Sequence, residues 1–409
     1  MRYGFMLAAR RLQAFRPRGR FFCHMQRYLR RPRPTRHRPA GAGFVDRAVR
    51  DPRARPSTDE PASSADLPTV SVVVPSYNYG HFLEECVTSV LQQDAVDTRI
   101  LVIDDGSTDD SVRVGRRLAE QNERVEFHQH TTNAGFIPTV NEGFEWARGE
   151  YVVHLDADDL LLPGSLRRAT TIMATHPEVG LTYGRALYAY EGRKLPKPSA
   201  RWTSTAIWRG ADWLELRCRS GHNCVSMPTA VMRRSVQQAV GGYRPECLHT
   251  PDLNLWLRIA AVSDVAHLRV HQAVYRVHAS SMSHTQEGPL VPLQERRLGF
   301  DSFFDDGASG VQESERMHLL VSRVLAREAL WRASRAIDSG DDQQLVEELV
   351  AFALDAYPRS TSLREWRGLQ MRRRIGHGRS LIFPPFLATG VAHRLRAHLG
   401  WRLLAHRGV

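Results

Sequence analysis

The apolar pattern first becomes regular at Val70 to Val74, where four valines are interrupted only by Ser71. A short, almost wholly apolar, β-branched run of this kind suits a strand buried on both faces of a parallel sheet. From His81 to Gln92 the apolar positions Phe82, Cys86, Val87, Val90 and Leu91 share one broad helical face. Strands and helices then alternate. Arg99 to Ile103 and Val125 to His128 read as strands flanking a helix over Asp109 to Gln121, followed by a helix around Ile137 to Ala147 and a fourth strand at Tyr151 to Leu155. Pro163 suits the opening turn of a helix over Gly164 to Thr175. This rhythm predicts an α/β fold, a three-layer α/β/α sandwich around a mainly parallel central sheet.

Beyond about residue 180 the alternation loosens. Leu181 to Tyr190 reads as a strand and Gly210 to Arg217 as a helix. Ala230 to Val240 reads as a strand end and helix closed by Gly241-Gly242, and Asp252 to Ala261 as a further helix. A mixed sheet closing over the first half is expected. Glu313 to Tyr357 is rich in helix formers and is divided by Ser339-Gly340-Asp341-Asp342 into a helical hairpin, which is one unit and not a repeat array.

Charge and composition divide the 409 residues into three parts. Residues 1–66 carry +11 from 16 Arg and five acids, and residues 361–409 carry +9, so the stretch between them holds about −8 of the overall +12. The expected organisation is a basic, Pro/Arg-rich extension at 1–66, disordered or loosely helical; an α/β domain at 67–300; and a helical extension with a basic tail at 301–409. An acidic middle between basic ends argues against a continuous nucleic-acid face. Basic ends suit peripheral contact with an anionic membrane, although a solvated Arg-rich tail has the same composition. No run approaches 18 apolar residues, and the tract at 380–388 is broken by Pro384 and Pro385. Met1 to Phe22 lacks the clear apolar core and cleavage site of a signal peptide. Five irregularly spaced cysteines point to reduced thiols and a cytoplasmic setting, and the basic ends allow a peripheral position at the inner face of the cell membrane.

The candidate chemistry gathers at the strand ends, where open α/β sheets bind ligands. The first strand ends in Pro75-Ser76-Tyr77-Asn78 and the second in Asp104-Asp105-Gly106-Ser107-Thr108-Asp109. The third leads to Asn133-Ala134-Gly135, and the fourth enters Asp156-Ala157-Asp158-Asp159. One such cluster is adequately explained as a helix cap; four at one sheet edge suggest a site. Three carboxylates in four residues need water, a partner or a hard cation, and Mg²⁺ or Mn²⁺ suits oxygen ligands that also meet phosphates. Neither a phosphate-cradling glycine loop with its Lys nor a G-x-G-x-x-G fingerprint is present.

With these motifs, and with Gly241-Gly242-Tyr243, Asp252, Leu255-Trp256-Leu257-Arg258 and Tyr275-Arg276-Val277-His278 following in order, the chain over about residues 68–283 resembles the inverting family-2 glycosyltransferases of GT-A fold. The resemblance implies transfer of a sugar from a nucleotide-sugar donor, a UDP-sugar by preference, to an acceptor hydroxyl. It implies donor contacts at Pro75, Tyr77, Asp105, Asn133, Gly135, Asp156 and Asp158. It implies metal contacts at Asp156 and Asp158, with His278 as a further candidate, and a general base at Asp252. His222, Asn223 and Trp256 fall on the expected acceptor side, Trp256 equally as core packing. The acceptor is a glycan, a lipid-linked sugar or a small molecule, in keeping with polysaccharide synthesis at the cell envelope. Pro251 stands where the family usually has Glu, Asn254 where Asp is common, and Ile137 to Asn141 replaces a common Ala-Arg-Asn arrangement. Two other readings stay open: a nucleotidyltransferase of related fold, and a silent scaffold that binds partners through its C-terminal helices. The first is disfavoured by the absence of Lys or Arg from Ser76 to Gly80, the second by retention of all four key aspartates.

Overall fold

A computed structural model describes residues 67–194, 197–198, 204–278, 288–377 and 386. The basic extension at 1–66, most of the tract at 380–388 and the basic tail after residue 386 lie outside the described residues.

The strands are β1 (Thr69–Ser76), β2 (Asp97–Asp104), β3 (Val125–Gln129), β4 (Tyr151–His154), β5 (Leu160–Leu161), β6 (Val179–Tyr190), β7 (Thr205–Trp208), β8 (Val231–Arg233) and β9 (Asp264–Val277). Among the described residues they form one sheet in the order β3-β2-β1-β4-β8-β6-β9-β5, with β7 also pairing β9. The first four pair in parallel, β8 is antiparallel to both β4 and β6, and β6 runs parallel to β9. The chain therefore grows outward from β1 through β2 to β3, then crosses back to place β4 on the other side. That reversal opens a crevice at the carboxyl ends of β1 and β4.

The valine run of β1 shows why it is apolar throughout. Val70, Val72 and Val74 pack with Leu83, Cys86, Val87 and Val90 of α1 (Gly80–Leu91) on one face. Val73 points to the opposite layer, against Ile137, Val140 and Phe144 of α3 (Phe136–Trp146). The second sheet-flanking helix, α2 (Ser111–Gln121), and α4 (Ser165–Thr175) join the first layer through Val114, Leu118, Leu166, Ala169 and Met173. Each fully buried Val or Leu is worth roughly 1.5–3 kcal/mol, so this double-sided burial defines the register.

Gly143 of α3 marks the closest approach, since a Cβ there would sit 2.1 Å from Val73 Cγ1. Gly143→Ala should therefore cost about 1–3 kcal/mol by overpacking, read as a lowered thermal midpoint; an unchanged midpoint would contradict this packing.

The second half contains α5 (Gly210–Ser220), α6 (Arg234–Val240), α7 (Pro251–Val262), α8 (Val291–Ser302), α9 (Ser314–Ser339), α10 (Gln343–Ala356) and α11 (Arg364–Ile375). The expected hairpin is α9 and α10, closed by Gly340 at φ 74°. It shares a core with the sheet: Met317, Val321, Leu325, Leu330 and Leu349 belong to the same buried cluster as Val73, Trp213 and Trp256. The 14-residue β9 is absent from the sequence reading except for its last three residues. His267, Arg269, His271 and Gln272 interrupt its apolar pattern, yet it pairs with β5, β6 and β7. Among the described residues no helix is long and apolar enough to cross a membrane, and Cys86, Cys218, Cys224 and Cys247 are free thiols.

Candidate active site

The loops after β1 and β2 are tied together by their own side chains. Asp105 N donates to Ser76 O at 2.8 Å, Asn78 N to Ser107 Oγ at 2.9 Å, Thr108 N to Asn78 Oδ1 at 2.8 Å and Gly80 N to Asp109 Oδ2 at 3.1 Å. Gly106, at φ 73°, lies so close to the third loop that a Cβ would be 2.8 Å from Asn133 N. This explains a glycine between the acids and the hydroxyls. Pro75 is buried at the base of the crevice and Tyr77 presents its ring at 47% exposure.

Asp105 connects the second loop to the third. Its carboxylate accepts from Ala134 N at 2.7 Å and Gly135 N at 2.9 Å, with Gly135 at φ 94° turning its amide inward. His130 donates from Nδ1 to Asp105 at 2.8 Å and from Nε2 to Glu142 at 2.8 Å. Burial opposes charge on His130, but the two carboxylates outweigh it and raise its pKa. Asp105 is thus held rigidly, and Asn133 is brought to the exposed rim beside it.

At the end of β4, one ligand oxygen from each of Asp156, Asp158 and Asp159 falls within 4.8 Å of the others. Asp156 is the most open, with its side chain 30% exposed, and His154 Nε2 lies 3.0 Å from it. His154 is itself buried, with Nδ1 3.1 Å from the Tyr243 hydroxyl. Tyr243 is positioned by Asn141, which accepts from Tyr243 N at 2.7 Å and donates to Tyr243 O at 2.9 Å. The Gly241-Gly242-Tyr243 motif thereby supports the acidic cluster. Asp158 accepts from His278 Nε2 at 2.9 Å, and Asp159 from Arg276 N at 2.8 Å. His278 packs edge-on to Tyr79 and tilted against Phe82, while the Arg276 guanidinium lies over Phe82 at 4.7 Å.

This cluster fits a divalent cation on its own chemistry. Burial, then repulsion from neighbouring aspartates, raises the pKa of both Asp158 and Asp159. Asp159 Oδ2 is buried with no hydrogen-bond partner. Three hard oxygens, one of them unsatisfied, form the donor set that Mn²⁺ or Mg²⁺ prefers. Of the residues expected at a metal, Asp156 and Asp158 belong to this set and Asp159 joins them. His278 stands against Asp158.

Asp252 lies in the first turn of α7 behind Pro251. It accepts from Asn223 Nδ2 at 2.6 Å and from Leu253 N at 2.7 Å. Burial pushes its pKa up to about 6 against these two hydrogen bonds, with Asp156 raising it further and His154 lowering it. Asp252 thus lies within electrostatic reach of Asp156 and His154. Asp252 also borders a cleft of about 360 Å³, together with His222 and Asn223. Trp256 is fully buried in the shared core and contributes nothing to this cleft's lining. Asn254 is also buried; it accepts from Arg258 Nε at 2.8 Å and donates to Gly299 O at 3.1 Å. That structural duty accounts for an amide where an acid is common.

Sequence reading passed over several neighbours: His154, His249, Glu295, Arg296 and Arg332. His154, two residues before Asp156 on an otherwise apolar strand, is the one signal that was legible. Glu295, Arg296 and Arg332 reach the cleft only because α8 and α9 pack beside it.

The profile of the family described as "Glycosyl transferase family 2" matches residues 71–239. An uncharacterized protein of Mycobacterium tuberculosis is 27% identical over 54% of this chain and 70% of its own length. The uncharacterized glycosyltransferase YibD of Escherichia coli is 32% identical over 41% of this chain and 49% of its own. The chain thus spans between about half and 70% of these two relatives. Among solved structures, S. aureus TarS 1-349 in complex with UDP-GlcNAc superposes with a TM-score of 0.55 at 17% identity, over 75% of this chain and 89% of that one, a likeness of fold. Residues 71–239 thus match glycosyl transferase family 2, and the parallel half-sheet with its crevice and the acidic cluster at the end of β4 accompany that match in a GT-A-like fold.

Proposed function

We propose that the protein is an inverting glycosyltransferase that moves a sugar from a nucleoside-diphosphate sugar, a UDP-sugar by preference, to an acceptor hydroxyl. The observation that carries this reading is the three-aspartate cluster at the end of β4 together with a cleft-lining carboxylate of raised pKa, Asp252, that feels the Asp156 charge. Asp156, Asp158 and Asp159 would hold a divalent cation, which would supply positive charge where the leaving diphosphate becomes more negative. Pro75, Tyr77, Asp105, Asn133 and Gly135 line the donor side, with Asp105 holding the loop that carries Asn133 and Gly135. His278 and Arg276 close the diphosphate end. Asp252 accepts the acceptor's hydroxyl proton as that oxygen forms its bond to the anomeric carbon; the bond to the diphosphate oxygen breaks on the opposite face, with inversion. Asn223 orients the Asp252 carboxylate, and His222 lies deeper in the acceptor cleft.

The acceptor classes in keeping with this reading are a glycan, a lipid-linked sugar or a small molecule. The basic ends would serve peripheral contact with an anionic membrane, placing the work at its cytoplasmic face. Residues 67–300 would carry the chemistry and the C-terminal helices the acceptor wall.

A calorimetric screen of UDP-, GDP- and dTDP-sugars with and without Mn²⁺ tests the reading. UDP-sugars are the first choice, since the TarS fold relative binds UDP-GlcNAc. Binding of at least one donor, dependent on the metal, is expected. Equal affinity without metal, or no donor binding, would reject it.

A further inference from the structure

The cleft beside Asp252 is walled by α8 and α9, which lie beyond the segment matched by the family profile. That wall contains three buried polar atoms without hydrogen-bond partners, Glu295 Oε2, Arg332 Nε and Arg296 Nη2, the last of them ion-paired with Glu328. The Arg332 side chain is only 10% exposed, and its remaining nitrogens are committed. Nη2 donates to Glu328 Oε1 at 2.7 Å, and Nη1 donates to Pro289 O. Beside it, Arg296 is fixed by Pro292 O and Gly221 O, each at 2.9 Å, and its Nη2 lies 3.0 Å from Glu328. The guanidinium frame is therefore preorganised while one donor and one acceptor stay open. Leaving such groups unpaired costs desolvation free energy that a ligand can recover.

Ligand groups that satisfy these atoms must donate to a carboxylate oxygen and accept from a guanidinium N–H. A hydroxyl does both. An ammonium only donates. A phosphate or carboxylate only accepts, and would also meet the negative charge of Glu295 and Asp252. Glu328 already occupies one side of both arginines, so the cleft offers no excess of positive charge to an anion.

We propose that this wall is an acceptor-specificity site for a neutral sugar or polyol, with Glu295 and Arg332 binding hydroxyls next to the one that faces Asp252. The proposal rests on the glycosyltransferase reading only for the identity of the neighbouring base; the pocket's preference stands on its own atoms.

The test uses the full chain with UDP and Mn²⁺. The probes are the methyl glycosides of glucose and N-acetylglucosamine, set against glucuronate and glucose 6-phosphate, with binding followed by saturation-transfer NMR. A neutral glycoside should bind at least about tenfold more tightly than the anionic probes. Glu295→Gln and Arg332→Lys, the latter keeping the charge but lacking Nε, should each weaken neutral binding about tenfold with UDP affinity unchanged. Should Arg332→Lys lose its fold with the Glu328 and Pro289 contacts, Glu295→Gln decides alone. Equal or tighter anionic binding, unaltered neutral binding in the folded variants, or no neutral binding at all would overturn the proposal. Absence of UDP binding with normal sugar binding would instead reject the donor reading and leave this site standing.

Discussion

Asp252→Asn is expected to lower the transfer rate by about a hundredfold to ten-thousandfold, the range for loss of a general base, while metal-dependent donor affinity stays within about twofold. The reason is local. Asn keeps an oxygen for Asn223 Nδ2, which now meets Asp252 at 2.6 Å, but it cannot take a proton. The same carboxylate predicts a pH profile. With a pKa of about 6 in the metal-free protein, Asp252 becomes an effective base only as pH rises through that region. A cation at the neighbouring aspartates offsets the contribution of Asp156 and moves the limb lower, so the loaded enzyme should lose rate at or below about pH 6.

Stability separates this role from a structural one. The folded pKa of Asp252 is raised above its ordinary value near 3.9, so the native state holds this proton at higher pH than the unfolded chain does. Its contribution to stability is therefore retained in acid and lost as pH rises from about 4 to about 6, up to roughly 3 kcal/mol in all. Asp252→Asn should consequently leave the thermal midpoint at pH 7 unchanged or higher. A variant with wild-type turnover would remove Asp252 from the chemistry, and one with a markedly lowered midpoint would make it a helix-start residue first.

Asp158→Asn should abolish the metal dependence of donor binding and weaken that binding by about a hundredfold or more. In the metal-free protein the substitution should be stabilising at neutral pH. Burial and the Asp156 charge raise the Asp158 pKa, so its ionisation works against the fold as pH rises. Mn²⁺ at about 100 times its dissociation constant should stabilise the wild type by about 2.7 kcal/mol and raise its midpoint by a few degrees, with little effect on the variant. If Mn²⁺ shifts both proteins equally, the cation binds somewhere other than the β4 terminus. The two substitutions also distinguish each other: one removes turnover and keeps the donor, and the other removes the donor.

The two halves of the site differ in how far local sequence describes them. Asp105, Asp156 and Asp158 follow directly from strands whose apolar runs, broken only by His154, announce their ends. A parallel strand buried on both faces must place its first polar residues at the sheet edge. The departures were legible as well. Asn254, in place of an acid, proves to hold Gly299 O and the Arg258 guanidinium within the core. Trp256 could be assigned to packing or to the acceptor side, and only its position on the inner face of α7 places it in the core.

From its residues alone, the chain determined an α/β sheet, a set of carboxylates at its carboxyl edge and the helical hairpin near its end, because local periodicity dictates which faces must be buried. Tertiary structure alone decided that β9 joins three other strands, that Gly241-Gly242-Tyr243 supports His154 beside the acidic cluster, and that α8 and α9 bring Glu295 and Arg332 to the cleft at Asp252. These groups are separated in sequence by tens of residues to well over a hundred and carry no periodic signal. They meet because the C-terminal helices bury their apolar faces in the same core as the sheet, and that shared burial turns separate charged residues into one wall of the site.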